Sequence, residues 1–185
     1  NVSENLVEYY KKKYRLDTEY IPNGIEKPKV LKADIIEKKY GLKKDDYILF
    51  LARLVPEKGA HYLIEAYGRL ETGKKLVIAG GSSHSGKYES KLHDMAAGNK
   101  NIIFTGFVSG NELAELYSNA FFYVLPSDIE GLPISLLEAM SFGNCCLTSD
   151  IPENRLVLGQ AGYTFKRADV SDLLDKMSLL LGETG

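Results

Sequence analysis

Tyr47-Ile48-Leu49-Phe50-Leu51-Ala52 is the stretch whose reading decides the fold. It is apolar without interruption, bounded by charges, and too short to span a bilayer, which takes about 20 residues. A strand with one wet face alternates apolar and polar residues. A strand that is apolar throughout is covered on both faces, and such strands belong to parallel sheets flanked by helices. The pattern returns downstream at residues 75–80 (KLVIAG), 101–105 (NIIFT), 120–125, 144–149 and 162–165.

Between these runs lie segments of helical period at residues 60–70, 87–97, 111–119, 134–142, 153–158 and 170–181. Strand and helix in alternation, joined by right-handed crossovers, define a Rossmann-like α/β/α domain of three layers with a mostly parallel sheet of about six strands. Upstream, residues 2–14 read as an amphipathic helix with Ser3 as N-cap, and residues 19–21 as a short strand. Pro22-Asn23-Gly24 reads as a turn, and residues 32–40 as a helix closed by Gly41. No internal repeat or low-complexity segment is present.

Composition supports this class. The 185 residues are 44% hydrophobic and 26% charged, with a net charge of -2, which excludes collagenous, disordered and membrane-spanning readings. The densest basic groups, Lys11–Lys13 and Lys43–Lys44, are no more than solvated helix faces, so nucleic acid is not an expected partner. Cys145 and Cys146 are neighbours on a strand, so their side chains point to opposite faces; they read as buried thiols of a reducing, cytoplasmic compartment. The sequon at Asn1-Val2-Ser3 reads as chance. A chain that opens on Asn1 in a helix-like pattern reads as an excerpt of something longer.

In doubly wound sheets, ligands bind beyond the carboxyl ends of the strands. The loop after the first strand carries Arg53 and Lys58, a fork of donors and a point charge suited to a diphosphate; the plain alternative is two solvated surface charges. After the second strand, Gly81-Ser82-Ser83-His84-Ser85-Gly86-Lys87-Tyr88 is one residue from a Walker A loop, with Tyr88 where a small hydroxyl must reach magnesium. A glycine-rich turn that admits a ligand to backbone amides, at Gly81, suits it better. No Gly-x-Gly-x-x-Gly fingerprint follows any strand. After the third strand, backbone at Phe107 and Val108 is placed to hydrogen-bond a flat ring.

The loop after the fourth strand is the densest. Gly131 offers a tight turn, and Pro133 suits a first helical turn. The amides of Leu132, Ile134 and Ser135 then make an anion pocket at a helix N-terminus. Glu130 stands at the mouth of that helix. Glu138 lies more than one turn inside it, where a carboxylate needs hydrogen-bond donors such as the vicinal hydroxyls of a ribose or hexose. The plain alternative makes Glu130 a cap and pairs Glu138 with a structural Arg. His61, His84 and His93 show no metal-ligand spacing.

Taken together, these residues resemble the C-terminal, donor-binding half of retaining GT-B glycosyltransferases of glycosyltransferase family 4. The carriers are residues 21–25 (IPNGI), Arg53-Leu54-x-x-x-Lys58-Gly59, Phe104-x-Gly106-Phe107-Val108, and Glu130 with seven residues before Glu138, then Ala139-Met140 and Gly143. The resemblance implies that residues 1–21 are the end of an N-terminal acceptor domain and linker, and 22–185 the donor domain. It implies that Arg53 and Lys58 hold the diphosphate of a UDP- or GDP-sugar. Glu130 contacts the transferred hexosyl-type sugar, with Gly131, Leu132, Pro133 and Ile134 beside it. Glu138 binds the ribose, and Phe107 and Val108 read the base. No metal and no further cofactor are expected.

Two residues depart from the family pattern: Ala52 replaces a common Gly, and Leu132-Pro133 a common Phe-Gly. The resemblance further implies an enzyme of the kind that builds bacterial polysaccharide. The excerpt by itself is expected to transfer no sugar, and any membrane association is expected to reside in the half it lacks. A nucleotide-sugar epimerase of related fold is the alternative enzyme. A non-catalytic nucleotide-binding module, resting on the near-Walker loop, is the alternative of another class.

Overall fold

The computed structural model describes residues 4–21, 23–81 and 86–182. Six strands, β1 (Tyr47–Leu51), β2 (Lys75–Ala79), β3 (Ile102–Gly106), β4 (Phe122–Leu125), β5 (Cys146–Ser149) and β6 (Tyr163–Phe165), form one sheet. Their order is β3-β2-β1-β4-β5-β6, and every pairing is parallel.

The helices are α1 (Glu4–Tyr14), α2 (Ile35–Tyr40), α3 (Ala60–Gly68), α4 (Gly86–Ala96), α5 (Gly110–Asn119), α6 (Ile134–Ser141), α7 (Pro152–Leu158) and α8 (Val170–Gly182). No helix among the described residues is long and apolar enough to cross a membrane.

The uninterrupted apolar run of β1 has a direct cause. Ile48 and Phe50 pack with Leu63 of α3, Leu92 of α4 and Met177 of α8, while Tyr47 and Leu49 pack with Ile36 of α2, Leu116 of α5 and Leu136 of α6. Alternate side chains therefore enter two different cores, and both cores are dry. The adjacent thiols obey the same rule: Cys145 joins the first core and Cys146 the second, both unbridged. Burial, reinforced by the neighbouring thiol, pushes Cys146 up to about 12.

Two upstream expectations need correction. Residues 19–21 form no strand. Tyr20 and Ile21 are exposed, and the segment is not among the six strands of the sheet, outside which a short strand is not stable. The helix expected from residue 32 begins only at Ile35. The chain before it is fastened to α5 instead: the Leu31 amide donates to Ser118 Oγ at 3.0 Å, and the Leu31 carbonyl accepts from Asn119 Nδ2 at 3.0 Å. Buried Glu115 then accepts the amides of Asp34 and Ile36 at 3.0 and 3.1 Å, doing for α2 what an N-cap side chain does locally. Gly41 closes α2 as expected, its amide donating to the Glu37 carbonyl at 2.9 Å. The expected cap Ser3, the proline of the Pro22-Asn23-Gly24 turn, and Ser82–Ser85 with His84 lie outside the described residues.

Candidate functional site

β1 lies between β2 and β4, so the chain leaves β1 toward one side of the sheet and enters β4 from the other. This is the topological switch point, and a crevice opens there beyond the carboxyl ends of the two strands. The loop after β1 supplies Arg53 and Lys58, and the loop after β4 supplies Glu130.

Two glycines bring the loops together. Gly59 has φ +71°, and a Cβ on it would overlap the Pro126 carbonyl. Gly80 has φ +127°, and a Cβ on it would overlap the Ala52 carbonyl. Only glycine satisfies both the dihedral and the approach. Hydrogen bonds then stitch the rim: the Asp128 amide donates to the Glu57 carbonyl at 2.8 Å, Leu54 to Gly81 at 3.1 Å, and Gly80 to Gly106 at 2.9 Å. Tyr62 Oη donates to Asp128 Oδ2 at 3.2 Å, tying the β4 loop to α3.

With the loops so placed, Lys58 Nζ reaches both oxygens of Glu130, at 2.7 and 2.6 Å. Their side chains are only 16% and 4% exposed, so this pair is screened weakly by solvent. Ser127 Oγ donates to Glu130 Oε1 at 2.6 Å. A buried chain stands behind it: Ser149 Oγ donates to the Ser127 carbonyl, and Asn154 Nδ2 donates to Ser149 Oγ at 3.0 Å. Ser127, Ser149 and Asn154 are each fully buried.

Arg53 is exposed and joins two parts of the crevice. On one side it borders a cavity of about 560 Å³ walled by Gly80, Gly81, Phe107, Val108 and Leu113. On the other it borders a smaller one, about 330 Å³, with Lys58, Glu130, Leu132, Pro133 and Ile134 in its walls. A third, adjoining recess adds Glu57, Ile129 and Gly131. Phe107 is 85% exposed on the rim, while Val108 is buried into the second core.

Ten of the residues expected from sequence therefore share one crevice: Arg53, Lys58, Gly81, Phe107, Val108, Glu130, Gly131, Leu132, Pro133 and Ile134. Glu138 lines none of these three recesses. Its Oε2 accepts from Tyr117 Oη at 3.0 Å, and no cation lies within ion-pair distance of it among the described residues. Burial, then Tyr123 and Glu138 itself, push the Tyr117 phenol far above its ordinary range, so it stays a donor at any physiological pH. Tyr123, pushed up by complete burial, hydrogen-bonds Ser135 Oγ at 2.9 Å in the same network.

The chain bends at Gly131, but the bend does not require a glycine. Its φ lies outside the left-handed region, and a Cβ on it would meet nothing within 4 Å. Pro133 sits one position earlier than expected, at the N-cap of α6, where its carbonyl accepts the first helical bonds from Leu136 and Leu137 at 3.0 and 3.2 Å. The amides of Ile134 and Ser135 come before those bonds and have no acceptor within the helix.

The near-Walker reading fails on Tyr88. The residue is inside α4 and buried against α3, and its Oη lies 2.8 Å from His61 Nδ1. It is a core tyrosine whose hydroxyl is engaged by α3.

Tyr117, Ser127, Ser149 and Asn154 went unread in the sequence as supports of the two glutamates. Only Ser127, three positions before Glu130, carried a local signal.

The model of the family described as glycosyl transferases group 1 matches residues 32–184, and the chain belongs to that family. The fold is that of the Rossmann-like domain of GT-B glycosyltransferases. Among curated relatives, the chain is similar to the O-antigen chain mannosyltransferase RfbU of Salmonella typhimurium, at 32% identity over 82% of this chain and 41% of that protein. It is also similar to the UDP-Gal:alpha-D-GlcNAc-diphosphoundecaprenol alpha-1,3-galactosyltransferase of Escherichia coli, at 26% identity over 85% and 43%. The chain thus spans less than half the length of these relatives. Among solved structures, a glycosyltransferase from Rickettsia africae superposes with a TM-score of 0.86 at 19% identity, over 100% of this chain and 53% of the other. Anabaena HepE in complex with UDP-glucose superposes at 0.79 and 18% identity, over 90% and 48%.

Proposed function

We propose that this chain binds the donor of a retaining glycosyltransferase that moves a hexosyl-type sugar from a nucleoside-diphosphate sugar to an acceptor. The observation that carries the reading is the convergence of Arg53, Lys58 and Glu130 on one crevice at the switch point, continuous with an apolar recess beside Val108. Relatives named for galactosyl and mannosyl transfer, and a structural neighbour holding UDP-glucose, support it.

In this reading the base lies in the recess of Gly81, Phe107 and Val108, and Glu138, oriented by Tyr117, accepts from the ribose hydroxyls. Arg53 and Lys58 face the diphosphate. As the bond between the anomeric carbon and the diphosphate oxygen breaks, negative charge grows on the leaving group. Preorganised cations stabilise that charge, and losing one such donor costs about 10²–10³-fold in rate. Glu130 contacts the sugar, with the α6 amides alongside. These groups do the work without a metal. Residues 1–21 end the acceptor domain and its linker, residues 22–185 form the donor domain, and the 185-residue chain alone transfers no sugar. In the intact enzyme, which is cytoplasmic and builds a bacterial polysaccharide, the acceptor domain closes over this crevice.

The test is calorimetry with UDP, GDP, UDP-glucose and GDP-mannose in the presence of a chelator. Binding of at least one of them without magnesium is expected. Binding confined to ATP or GTP with an absolute need for magnesium would overturn the reading.

A further inference from the structure

The Lys58–Glu130 contact joins two groups that the proposed function sends to different parts of one ligand. Lys58 is to meet the diphosphate and Glu130 the sugar, yet each is the other's partner, at 2.6 Å and nearly out of solvent. Glu130 is the more deeply buried of the two. Its remaining protein partner among the described residues is Ser127 Oγ.

A buried carboxylate stripped of its cation is costly, because neither solvent nor a new donor replaces the lost charge. Suppose a bare nucleoside diphosphate enters. If Lys58 moves to the phosphates, Glu130 is left with one hydroxyl. If Lys58 stays, its charge is already half spent on Glu130, and the carboxylate also repels the incoming anion. A ligand that carries a sugar escapes this choice. Its hydroxyls donate to the oxygens that Lys58 vacates, and Lys58 becomes free for the diphosphate.

We propose that Glu130 is a specificity-determining residue that competes for Lys58, so that the crevice prefers a sugar-bearing nucleotide over the bare nucleoside diphosphate. This rests on the nucleotide-sugar reading of the site. The same competition helps product leave: once the sugar is gone, Glu130 regains Lys58 and the diphosphate keeps only Arg53. Ser127, held through Ser149 and Asn154, keeps Glu130 in place while Lys58 moves.

The experiment is a double-mutant cycle in the intact protein, with UDP, GDP, UDP-glucose and GDP-mannose as probes and thermal melts to confirm folding. Glu130→Gln keeps the shape of the side chain and its bond from Ser127 but removes the negative charge that pairs with the ammonium. It is expected to bind the bare diphosphate about tenfold more tightly than wild type, and to narrow the gap between diphosphate and nucleotide sugar. Lys58→Met is expected to weaken diphosphate binding more in the Glu130→Gln background than in wild type. Unchanged or weaker diphosphate binding by Glu130→Gln, with additive effects of the two substitutions, would overturn the competition while leaving the nucleotide-sugar site standing. Failure of wild type and Glu130→Gln alike to bind any of the four probes would overturn both.

Discussion

Gly59 and Pro126 touch backbone to backbone, and this contact is what sets the loop after β1 against the loop after β4. Lys58 precedes Gly59 and Glu130 follows Pro126 by four positions, so their approach is inherited from it. Gly59→Ala meets two penalties at once, a left-handed φ and an overlap with a buried carbonyl. A loss of at least about 2 kcal/mol of stability is expected from strain and overpacking. Urea unfolding measures it, and a variant as stable as wild type would contradict the contact.

Arg53 stands between the apolar recess and the one that holds Lys58 and Glu130, exposed and ready for a charged ligand. Arg53→Ala is expected to weaken UDP or GDP by roughly 10- to 100-fold, the scale of a charge-assisted hydrogen bond, and to leave uridine or guanosine nearly unchanged. Calorimetry on the paired ligands reads the difference. Equal losses for nucleotide and nucleoside would place Arg53 at the base instead.

Glu115 gives α2 its start by accepting two amides 79 and 81 positions away. Glu115→Ala leaves the buried Ile36 amide and the partly buried Asp34 amide without that acceptor and is expected to cost about 1–3 kcal/mol. Chemical denaturation gives the total, and hydrogen exchange at Ile36 locates it. Protection at Ile36 equal to wild type would show that the cap is dispensable.

His61 is half buried, and desolvation, followed by Lys91, holds its imidazole below the ordinary 6.5. The unfolded chain therefore binds a proton at a higher pH than the folded one. Stability from this residue is complete above about pH 6.5 and falls as pH drops through the lowered folded value. His61→Gln is expected to flatten that part of the pH–stability curve between pH 7.5 and 5.5. An identical slope in both proteins would assign the dependence elsewhere.

Cys146 is buried with its thiol pushed up to about 12, so almost no thiolate exists at pH 8. Alkylation by iodoacetamide followed by mass spectrometry should spare Cys146 in the native protein and modify it in urea. Native-state labelling of Cys146 would contradict its place in the core.

The sheet was legible because two-sided burial writes an apolar run with no gaps, as in β1 and β2. Arg53 and Glu130 were legible because ligand loops follow strand ends, and so the crevice followed from topology. Other features depend on residues far apart in the chain. The start of α2 hangs on Glu115, Ser118 and Asn119, and no local pattern at residues 31–34 announces them. The bond from Tyr117 to Glu138 links two helices, and the pairing of Lys58 with Glu130 spans 72 positions. Gly131 looked like a turn residue by type, but the backbone there needs no glycine; the open space beside it is what the small residue preserves. The short stretch at residues 19–21 has strand character but lies outside the six-stranded sheet, and periodicity alone cannot show which segments join a sheet.

The seam where β1 meets β4 is where the first half of the sheet joins the second. Arg53 and Lys58 arrive from one bank of that seam and Glu130 from the other. The recess beside Val108 is built by the leading half alone, whereas the pairing of Lys58 with Glu130 exists only once both halves have folded. A ligand spanning that recess and the Lys58–Glu130 pair would rivet the two halves together and raise the resistance of the protein to being pulled apart along that line.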